Sequence, residues 1–453
     1  MGTLQIGSAR QLFVDDLLVE HLEGVRLHLH EPQPRERVLS FDRPWEGDTS
    51  WCPVILYDAG LYRMWYRAQE GDRSARGFTA YAESRDGIDW ERPDLELFEF
   101  DGAKNNNICI DSDAMKNVAV FLDQHPDAPA EKRYKAVGRW NRGQPSRIFG
   151  MVSADGIHWR MAQQEPLICA PPDDPQFDSP LSAFWDARLQ RYAIYVRGWF
   201  PDGPKRRIRA IRMTTSADFV HWEPWSYIRI DRNQPWPCHL YTNAAQPYYR
   251  APYYLMFPKR YIPERKFLAE WSHDGLSDVL FLASRDGAQF FWPGHQAFLR
   301  PGPDLQNWHE RSIFIAPHVL PAGGGEMAFY SVQNYRTKSI HLRRFTLRVD
   351  GFVSARADAA GGTLLTSPLA FDGARLQLNY ATSAAGSLRV EILDAEEQPI
   401  PGFSAAACGE IFGDELERIV EWRDNPHLQA LAGRPVRLRF LLREADLYSF
   451  KFT

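Results

Sequence analysis

The chain has 453 residues, of which 44% are hydrophobic and 25% charged, a balance that excludes an intrinsically disordered protein. Its formal charge of −5 gives no electrostatic reason to expect nucleic acid or an anionic membrane as a partner. The five cysteines form no cluster with one another or with histidines, which argues against a disulfide framework and a zinc site.

The N-terminal segment, MGTLQIGSARQLFVDD, lacks the basic and then apolar pattern of a signal peptide. No apolar run approaches the roughly 18 residues that a membrane-spanning helix needs. We therefore expect a cytoplasmic protein, or a secreted one if a signal peptide has been removed. We expect no cofactor and no membrane partner. No ligand motif indicates a metal, and both a bound structural cation and the oligomeric state stay open.

A repeated turn divides most of the chain into units of similar length. Its four copies are Ser84–Trp90, Ser153–Trp159, Ser216–Trp222 and Ser284–Phe290. They begin roughly 65 residues apart, which suits the four short strands of a propeller blade. In each copy a serine precedes an aspartate, and an aromatic residue ends the motif. The aspartate, followed by glycine in three copies, suits a tight hairpin, the serine can bond the turn backbone, and the aromatic ring is expected to pack between blades.

Runs of β-branched and aromatic residues precede each turn and predict strands. They include Val54–Tyr57, Leu61–Tyr66, Val118–Leu122, Tyr134–Gly138, Leu181–Trp185, Tyr192–Val196 and Tyr253–Phe257. A fifth unit begins at Met327–Val332 and continues through Ile340–Thr346. The pattern predicts a five-bladed β-propeller over residues 1–347, in which a strand at Leu12–Val19 joins the last blade and closes the ring.

The character of the sequence changes after Arg348. Tryptophan becomes rare, and hydrophobic and polar residues alternate in Arg375–Tyr380, Ser387–Leu393 and Val436–Leu442. Alternation with a period of two is typical of half-buried antiparallel strands. The predicted fold is therefore all-β, with a catalytic propeller over residues 1–347 followed by a β-sandwich over residues 348–453. We expect the sandwich to pack on the propeller and to contribute stability rather than catalysis.

This combination of five blades, Ser-x-Asp-x-x-x-Trp turns and a C-terminal sandwich resembles the β-fructosidase and arabinanase superfamily. That group contains glycoside hydrolase families 32, 43 and 68 and the related mannoside phosphorylases. The Trp-x-Asn-Asp-Pro, Arg-Asp-Pro and Glu-Cys signatures of invertases are absent from the sequence. The resemblance therefore implies a glycoside hydrolase of an uncharacterised branch rather than an enzyme for β-fructosides. The turns are also similar to the Asp boxes of sialidases, which have six blades and would need more length.

The resemblance implies that catalytic residues lie just before the first strand of a blade, at the central funnel. Glycosidic cleavage needs a proton donor and a second carboxylate near the anomeric carbon. The positional rule selects Asp48, Asp178 and Glu326. Glu326 is expected to be the general acid, since the apolar strand after it favours a raised pKa. Asp48 would be the nucleophile or base and Asp178 would stabilise the transition state, while each could instead be a solvated loop acid or a salt-bridge partner.

Further side chains are candidates for binding a sugar. Trp45 and Trp51 flank Asp48 and could stack on a sugar ring. The positional rule offers Lys116 and Asn117 in the second unit, and the remaining candidates are His239, Asn243, Gln246, Lys259, Arg260 and Asp278. Lys259 and Arg260 follow an apolar strand, where a strand-end salt bridge is the alternative. Asp15, Asp16 and Asp274 compete for the catalytic roles.

Three functions remain open at this point. The first is a glycoside hydrolase acting on an oligosaccharide or polysaccharide. The second is a phosphorylase on the same scaffold, with a basic phosphate pocket that includes His239, Lys259 and Arg260. The third is a non-catalytic carbohydrate-binding or protein-binding propeller, since ring scaffolds also serve as interaction platforms.

Overall fold

The computed structural model describes residues 2–71, 76–112, 115, 117–140, 145–172, 174, 176–201, 207–231, 238–423 and 427–453. The chain is all-β, as predicted. The helices among the described residues are short 3₁₀ turns, at Ala130–Lys132, Pro293–His295, Leu305–Asn307 and Leu428–Leu431. No helix in this part of the chain is long and apolar enough to cross a membrane.

Five antiparallel sheets, called sheets 1 to 5 below, follow one another along the chain. Sheet 1 contains Trp51–Asp58, Leu61–Ala68, Phe78–Ser84 and Ile108–Ile110. Sheet 2 contains Ala119–Leu122, Tyr134–Trp140, Arg147–Ser153, Arg160–Met161 and Ile168–Cys169. Sheet 3 contains Asp178–Asp186, Arg191–Pro201, Arg207–Ser216 and Ser226–Tyr227.

Sheets 4 and 5 each include one strand whose partner strand is distant in the sequence. Sheet 4 contains Gln246–Pro247, Tyr254–Met256, Leu282–Ser284 and Gln289–Phe291, to which Arg229–Ile230 adds in parallel. Beside it lies a three-stranded sheet of His239–Leu240, Lys259–Ile262 and Leu276–Val279. Sheet 5 contains Phe314–Ile315, Glu326–Gln333, His341–Arg348 and Gln33–Ser40, and Leu320–Gly323 also pairs with its second strand.

In every one of these sheets the second strand runs back along the first. The start of the first strand therefore lies beside the end of the second, as in the pairs Trp51 with Arg67 and Phe314 with Val332. We call this end of the sheets the funnel end. Residues that precede a first strand or end a second strand are positioned there.

The repeated turns have the predicted local chemistry. The Ser84, Ser153 and Ser284 hydroxyls each accept a hydrogen bond of 2.9 Å from the backbone amide of the turn glycine. The aspartate of each turn accepts from the following backbone amides, for example from Ile88 at 2.8 Å. The aromatic residue packs against a neighbouring sheet, since Trp90 lies edge-on against Tyr330 of sheet 5 at 6.0 Å. The prediction for these turns is confirmed.

Tyrosines join each sheet to the next. The Tyr134, Tyr192 and Tyr254 hydroxyls of sheets 2, 3 and 4 donate to Asp58, Asp123 and Asp186, which end or follow the first strand of the preceding sheet. The Val319 amide of sheet 5 donates to the Gln246 side chain of sheet 4 at 2.6 Å. Tyr330 of sheet 5 then donates to the Gly87 carbonyl of sheet 1 at 2.7 Å. The contacts thus run through all five sheets and return to the first.

The strand that completes sheet 5 differs from the prediction. Gln33–Ser40 pairs with His341–Arg348 as the edge strand, where Pro34 is tolerated because an edge strand has one unpaired side. The segment predicted for this place, Leu12–Val19, is not a continuous strand. The Asp15 carboxylate inside it is buried against Arg285 at 2.6 Å and also caps the Leu17 amide at 3.0 Å, which ends the extended backbone.

The C-terminal region forms one sheet of eight strands with the N-terminal segment. Its strands are Gln11–Leu12, Val19–Glu23, Val25–Leu29, Val353–Ala357, Gly362–Thr366, Leu376–Leu393, Asp414–Ile419 and Arg437–Phe452. A parallel pair, Leu4–Gly7 and Leu369–Phe371, lies beside it. The expected pairing of the last strand is confirmed, since Phe452 pairs with Leu376.

One hydrophobic core joins this eight-stranded sheet to sheets 4 and 5. At its centre the Phe352 ring stacks on Phe281 at 4.7 Å and meets Phe329 edge-on at 6.2 Å. The expected packing of the C-terminal region on the preceding sheets is therefore observed.

Candidate functional site

A series of cations marks the funnel end of four sheets. In four units a tyrosine on the second strand is followed, five residues later, by a cation, which in sheet 4 lies just beyond that strand, at the start of Lys259–Ile262. The four pairs are Tyr62 with Arg67, Tyr134 with Arg139, Tyr192 with Arg197 and Tyr254 with Lys259. Sheet 5 has Tyr330 and Tyr335 at the matching positions. Because all second strands end at the funnel end, these side chains belong to one region, and we call the four cations the cation series.

Trp51 and Cys52 lie among the members of this series. The Trp51 ring has the Arg67 guanidinium at 5.6 Å and the Lys259 ammonium at 5.3 Å from its centroid. Burial raises the pKa of the Cys52 thiol to about 12, while the charges of Arg67, Lys259 and Arg139 act in the opposite direction. Cations from sheets 1, 2 and 4 therefore converge on the start of the first strand of sheet 1.

Lys259 is completely buried. Its ammonium donates to the Arg311 carbonyl at 2.8 Å. Burial, together with the charge of Arg311, lowers the pKa of Lys259 to about 7, although Glu310 acts in the opposite direction. A lysine in this environment changes its protonation near neutral pH.

Glu310 is the acidic residue nearest to the start of the first strand in sheet 5. Its carboxylate accepts from the Trp271 indole at 2.8 Å and from Arg336 at 2.9 Å, and it contacts the His309 ring at 3.3 Å. Burial opposes ionisation of this carboxyl, but the His309 and Trp271 hydrogen bonds and the charges of His309 and Arg336 outweigh it. They lower the pKa of Glu310 to about 2, so the side chain is an anion at neutral pH.

Asp178, at the start of the first strand of sheet 3, is held by two arginines. Arg139 lies 3.1 Å from one carboxylate oxygen, and Arg197 donates to the other. The carboxylate remains 32% exposed and is accessible to a ligand. Arg197 also stacks over the Tyr241 ring at 4.3 Å. Burial, with Arg209 and Arg139 nearby, lowers the pKa of Arg197 to about 10 despite the opposite effect of Tyr241.

Aromatic rings connect the two carboxylates. The Tyr241 and Tyr261 rings pack edge-on with their centroids 5.8 Å apart. Burial raises the pKa of the Tyr261 hydroxyl, and the negative charge of Glu310 raises it further. Arg209 lies over Tyr261 at 4.9 Å and over Trp199 at 4.6 Å. We call this group of side chains the funnel site. Its members are Asp178, Glu310, the cation series, Arg209, Arg311, Arg336, Trp199, Tyr241, Tyr261 and Trp271. It combines ionised carboxylates, flat apolar faces and an excess of positive charge.

The structure brings two of the three predicted catalytic residues to this end. Asp178 is in the funnel site. The Asp48 carboxylate is partly exposed and accepts a hydrogen bond from the Gly71 amide at 3.0 Å. The backbone carbonyl of Asp48 accepts from the Arg336 backbone amide at 2.7 Å. Because the Arg336 side chain also binds Glu310, Arg336 links Asp48 to that carboxylate.

The placement of Glu326 differs from the prediction. Glu326 begins the second strand of sheet 5, and the first strand is Phe314–Ile315. Because strands rise about 3.3 Å per residue, Glu326 lies on the order of 20 Å along the strand from Val332, the partner of Phe314. Its carboxylate binds Arg35 at 3.0 Å and Thr346 at 3.0 Å. Glu326 is therefore at the end of sheet 5 opposite the funnel end, where Glu310 lies.

The predicted binding residues separate into two groups. Trp51 and Lys259 lie among the cation series, and His239 accepts from the Arg209 amide at 3.1 Å. Trp45 instead donates to Asn107 at 2.7 Å and packs against Phe100, away from Asp48.

Other predicted residues take part in internal contacts. Asn243 is buried and donates to the Pro180 and Tyr195 carbonyls at 3.2 and 3.3 Å. Asn117 precedes the first strand of sheet 2, and Lys116 lies outside the described residues.

Arg260 and Asp278 bind each other. The Arg260 guanidinium donates to both carboxylate oxygens of Asp278, at 2.9 Å for one of them, across paired strands. This is the salt bridge that the sequence left as the alternative. Among the competing acids, Asp15 pairs with Arg285, and the exposed Asp274 lies 3.4 Å from Lys266.

Sequence reasoning missed Glu310 and most of the cation series. A signal for the series exists, because a tyrosine precedes the cation by five residues in four units. Glu310 stands before a strand of only two residues, Phe314–Ile315, which has no pattern of its own. Among the described residues no three His, Cys, Asp or Glu side chains come together as metal ligands.

Comparisons of the sequence with known proteins give one partial match. No family model matches the chain. A segment of 153 residues is 30% identical to two uncharacterised Mycobacterium tuberculosis proteins, MT1551 and Rv1502, and covers 32% of this chain and 44% of each relative. The match thus spans less than half of the length of these relatives.

Among solved structures the chain resembles glycoside hydrolases. A glycosyl hydrolase from Bacteroides ovatus is 14% identical, with a TM-score of 0.45 over 70% of this chain and 90% of that one. A family 43 arabinoxylan arabinofuranohydrolase from Bacillus subtilis is 10% identical, with a TM-score of 0.41 over 91% and 97%. An N-acetylgalactosamine deacetylase from F. plautii is 14% identical, with a TM-score of 0.48 over 72% and 96%.

Proposed function

We propose that this chain is a carbohydrate-active enzyme that cleaves glycosidic bonds at the funnel site, as a glycoside hydrolase. The observation that carries the proposal is the presence of two carboxylates, Asp178 and Glu310, before or at the first strands of different sheets, with aromatic rings between them. Glycoside hydrolysis uses carboxylates on either side of the scissile bond. The partly exposed Tyr261 ring is the candidate surface for the apolar face of a sugar ring.

The environment of each carboxylate suggests its role. Glu310 accepts hydrogen bonds from Trp271 and Arg336, which favour its anion and suit a nucleophile, a base or a stabiliser of positive charge at the anomeric carbon. Asp178, between Arg139 and Arg197, is the second anion. In the described part of the chain, no cation lies within 4.0 Å of Asp48. Asp48, which precedes the first strand of sheet 1 and is partly exposed, is the candidate proton donor.

We also propose the architecture that this function needs. Sheets 1 to 5 are the five blades of a β-propeller, and the contact from Tyr330 to Gly87 closes their ring. The domain limits from the sequence are residues 1–347 and 348–453. The pairing of Val25–Leu29 with Val353–Ala357 supports an adjustment in which the first strands of the chain belong to the C-terminal domain, proposed to be a β-sandwich.

A phosphorylase is the second candidate, and the cation series favours it. A phosphorylase transfers the sugar to inorganic phosphate, which needs a pocket of buried cations. Arg67 and Lys259, both buried, are cations of this kind.

Product analysis tests the proposal. The full chain is incubated with neutral and acidic oligosaccharides and aryl glycosides, with and without inorganic phosphate, and the products are separated. A hydrolase releases free sugar in both conditions. A phosphorylase releases a sugar phosphate only when phosphate is present. If the protein binds glycans but releases no product from any of them, it is a binding module and the proposal of an enzyme is wrong.

A further inference from the structure

We propose that the funnel site holds an oxyanion on Arg67, Arg139, Arg197 and Lys259, either the carboxylate of an acidic sugar in the substrate or inorganic phosphate as co-substrate. This inference rests on the proposed function, because it names the chemical class of the ligand at the same site. It differs from that function in that it concerns binding of a negative charge, which can be measured without turnover.

The balance of charge at the site is the first argument. Among the described residues, the cations of the funnel site are Arg67, Arg139, Arg197, Arg209, Lys259, Arg311 and Arg336, and its acids are Asp178 and Glu310, with Asp48 nearby. In the described part of the chain, no carboxylate oxygen lies within 4.0 Å of the Arg67 guanidinium or the Lys259 ammonium. Both side chains are buried. Arg67 donates to the Thr49 carbonyl and the Tyr335 hydroxyl, and Lys259 to the Arg311 carbonyl, so both have neutral acceptors only. A buried cation without a counter-charge is strongly unfavourable, and an anionic ligand would supply that counter-charge.

Other buried cations in the protein do have an acidic partner. Lys135 is buried like Lys259, but its ammonium binds Asp123. Arg212 is buried like Arg67, but it lies 3.0 Å from Asp174. The unbalanced charge is therefore a property of the funnel site and not of the interior in general.

The second argument is the presence of buried donors without acceptors. The Nε atoms of Arg197, Arg209 and Arg311 and the Trp51 indole nitrogen are buried and have no hydrogen-bond partner. Buried donors are almost always paired in folded proteins. Arginines bind planar carboxylates and phosphates with two parallel hydrogen bonds. An oxyanion with two to four oxygens would supply acceptors for several of these donors.

Repulsion between neighbouring cations also supports the binding of an oxyanion. The pKa values of Lys259 and Arg197 are lowered, to about 7 and about 10, by burial first and then by neighbouring cations. The charged groups facing Lys259 are Arg311 and Glu310, with Cys52 beside it. An oxyanion placed among these cations would relieve the repulsion and restore the protonated lysine.

Thermal unfolding of the full chain tests the inference. The melting temperature is followed as sodium glucuronate, sodium phosphate or glucose is added, with sodium chloride keeping the ionic strength constant. We expect a saturable rise with at least one of the two oxyanions that chloride and glucose do not produce. Lys259→Met removes one cation at similar volume and should weaken this binding by at least about tenfold.

Lys135→Met is the matched control, because it also removes a buried lysine. It leaves Asp123 without its cationic partner and should lower the melting temperature, yet the response to the oxyanion should stay the same. A second pair of variants on one strand, Arg67→Met and Arg63→Met, guards against misfolding of the first pair. Arg63 contacts Tyr81 and the Asp155 carbonyl, so only Arg67→Met should weaken the response.

Two outcomes overturn the inference. One is a wild-type protein whose melting temperature rises no more with glucuronate or phosphate than with chloride. The other is an oxyanion response that both Lys259→Met and Arg67→Met retain in full. Failure of the proposed function looks different, since the oxyanion would then bind but no glycoside would be cleaved.

Activity assays identify the source of the oxyanion. Cleavage of a uronide without phosphate, and not of the matching neutral glycoside, assigns the charge to the substrate carboxylate. Cleavage that requires phosphate assigns it to the co-substrate: a phosphate oxygen then bonds to the anomeric carbon as the glycosidic C–O bond breaks, and the leaving oxygen takes a proton.

Discussion

The protonation state of Glu310 limits the chemistry that it can perform. With a pKa of about 2, the carboxyl carries no proton to donate at neutral pH. The same hydrogen bonds that stabilise the anion, from Trp271 and Arg336, also fix its orientation. A fixed carboxylate of this kind can attack, accept a proton or stabilise positive charge without rearranging first.

Glu310→Gln and Glu326→Gln form a matched pair at the two ends of sheet 5. We expect Glu310→Gln to lower the rate of glycoside cleavage by at least about 10²–10⁴-fold, because a neutral amide can neither attack nor take up a proton. Glu326→Gln should leave that rate within a small factor of wild type. The measurement is the steady-state rate on an active substrate, with circular dichroism as the check on folding. Equal losses in both variants would remove Glu310 from the site.

Lys259 predicts how stability depends on pH. Its pKa is about 7 in the folded protein, against an ordinary value of 10.5. Between these values the unfolded chain binds more protons at this site than the folded chain, so a rise in pH favours folding. Lys259→Met lacks this contribution. We expect the variant to be more stable than wild type near pH 7 and the difference to shrink as the pH approaches about 10.

Denaturant unfolding of both proteins across this range measures the difference. A constant difference in the free energy of unfolding at all pH values would show that Lys259 is protonated in the folded protein throughout.

At the level of residues, the sequence supports some of the site and hides the rest. Asp178 could be predicted because it stands directly before a long apolar strand, Leu181–Trp185. Glu310 could not, because the strand after it has two residues. The longer apolar run Met327–Val332 resembles a first strand, so the positional rule selected Glu326. Only the pairing of Phe314 with Val332 shows which strand comes first.

At the level of elements, local chemistry decided what could be predicted. The turns were predictable because serine, aspartate and glycine bond within a few residues of one another, as Ser84 does with Gly87. The strand Leu12–Val19 was not, because its end is set by a distant partner. The ion pair between Asp15 and Arg285 joins residues far apart in the sequence, and no local pattern reveals it.

Gly87 joins a turn of sheet 1 to sheet 5 through its contact with Tyr330, and Gly60 is its control. Both have positive φ, 74° and 83°. A methyl group at Gly87 would collide with the Tyr330 hydroxyl oxygen, while Gly60 has open space around it. We expect Gly60→Ala to cost about 1–2 kcal/mol from backbone strain alone. Gly87→Ala should cost a further ~1–3 kcal/mol from overpacking.

The free energy of unfolding in urea checks this expectation. If the two variants are equally destabilised, the contact from Tyr330 to Gly87 does not hold sheets 5 and 1 together.

At the level of the whole molecule, the C-terminal sheet and sheets 4 and 5 share one core. A buried ion network supports the same junction. Asp350 accepts from Tyr248 at 2.7 Å and pairs with Arg250 at 3.1 Å and Arg10 at 3.4 Å. Its members come from the N-terminal segment, sheet 4 and the C-terminal region. Composition and alternation predicted the existence of this region, but not that N-terminal strands complete its sheet.

Deletion of residues 348–453 should therefore prevent folding rather than leave sheets 1 to 5 stably folded. The deletion exposes Phe281 and Phe329 and leaves Val25–Leu29 without its partner strand. We expect the fragment 1–347 to be insoluble or to aggregate on expression. In the full chain, Phe352→Ala should cost about 3–5 kcal/mol, measured by denaturant unfolding. A soluble, monomeric fragment with native circular dichroism would contradict the shared core.

The pairing of Gln33–Ser40 with His341–Arg348 has a consequence for how the protein is made. The earlier strand leaves the ribosome long before its partner, since roughly 300 residues separate them and synthesis proceeds at about 5–20 residues per second. The strand therefore waits about 15–60 s before sheet 5 can form. During that time its backbone donors and acceptors are open to other chains. The nascent protein would depend on chaperones for most of its synthesis, and sheet 5 could form only near its end.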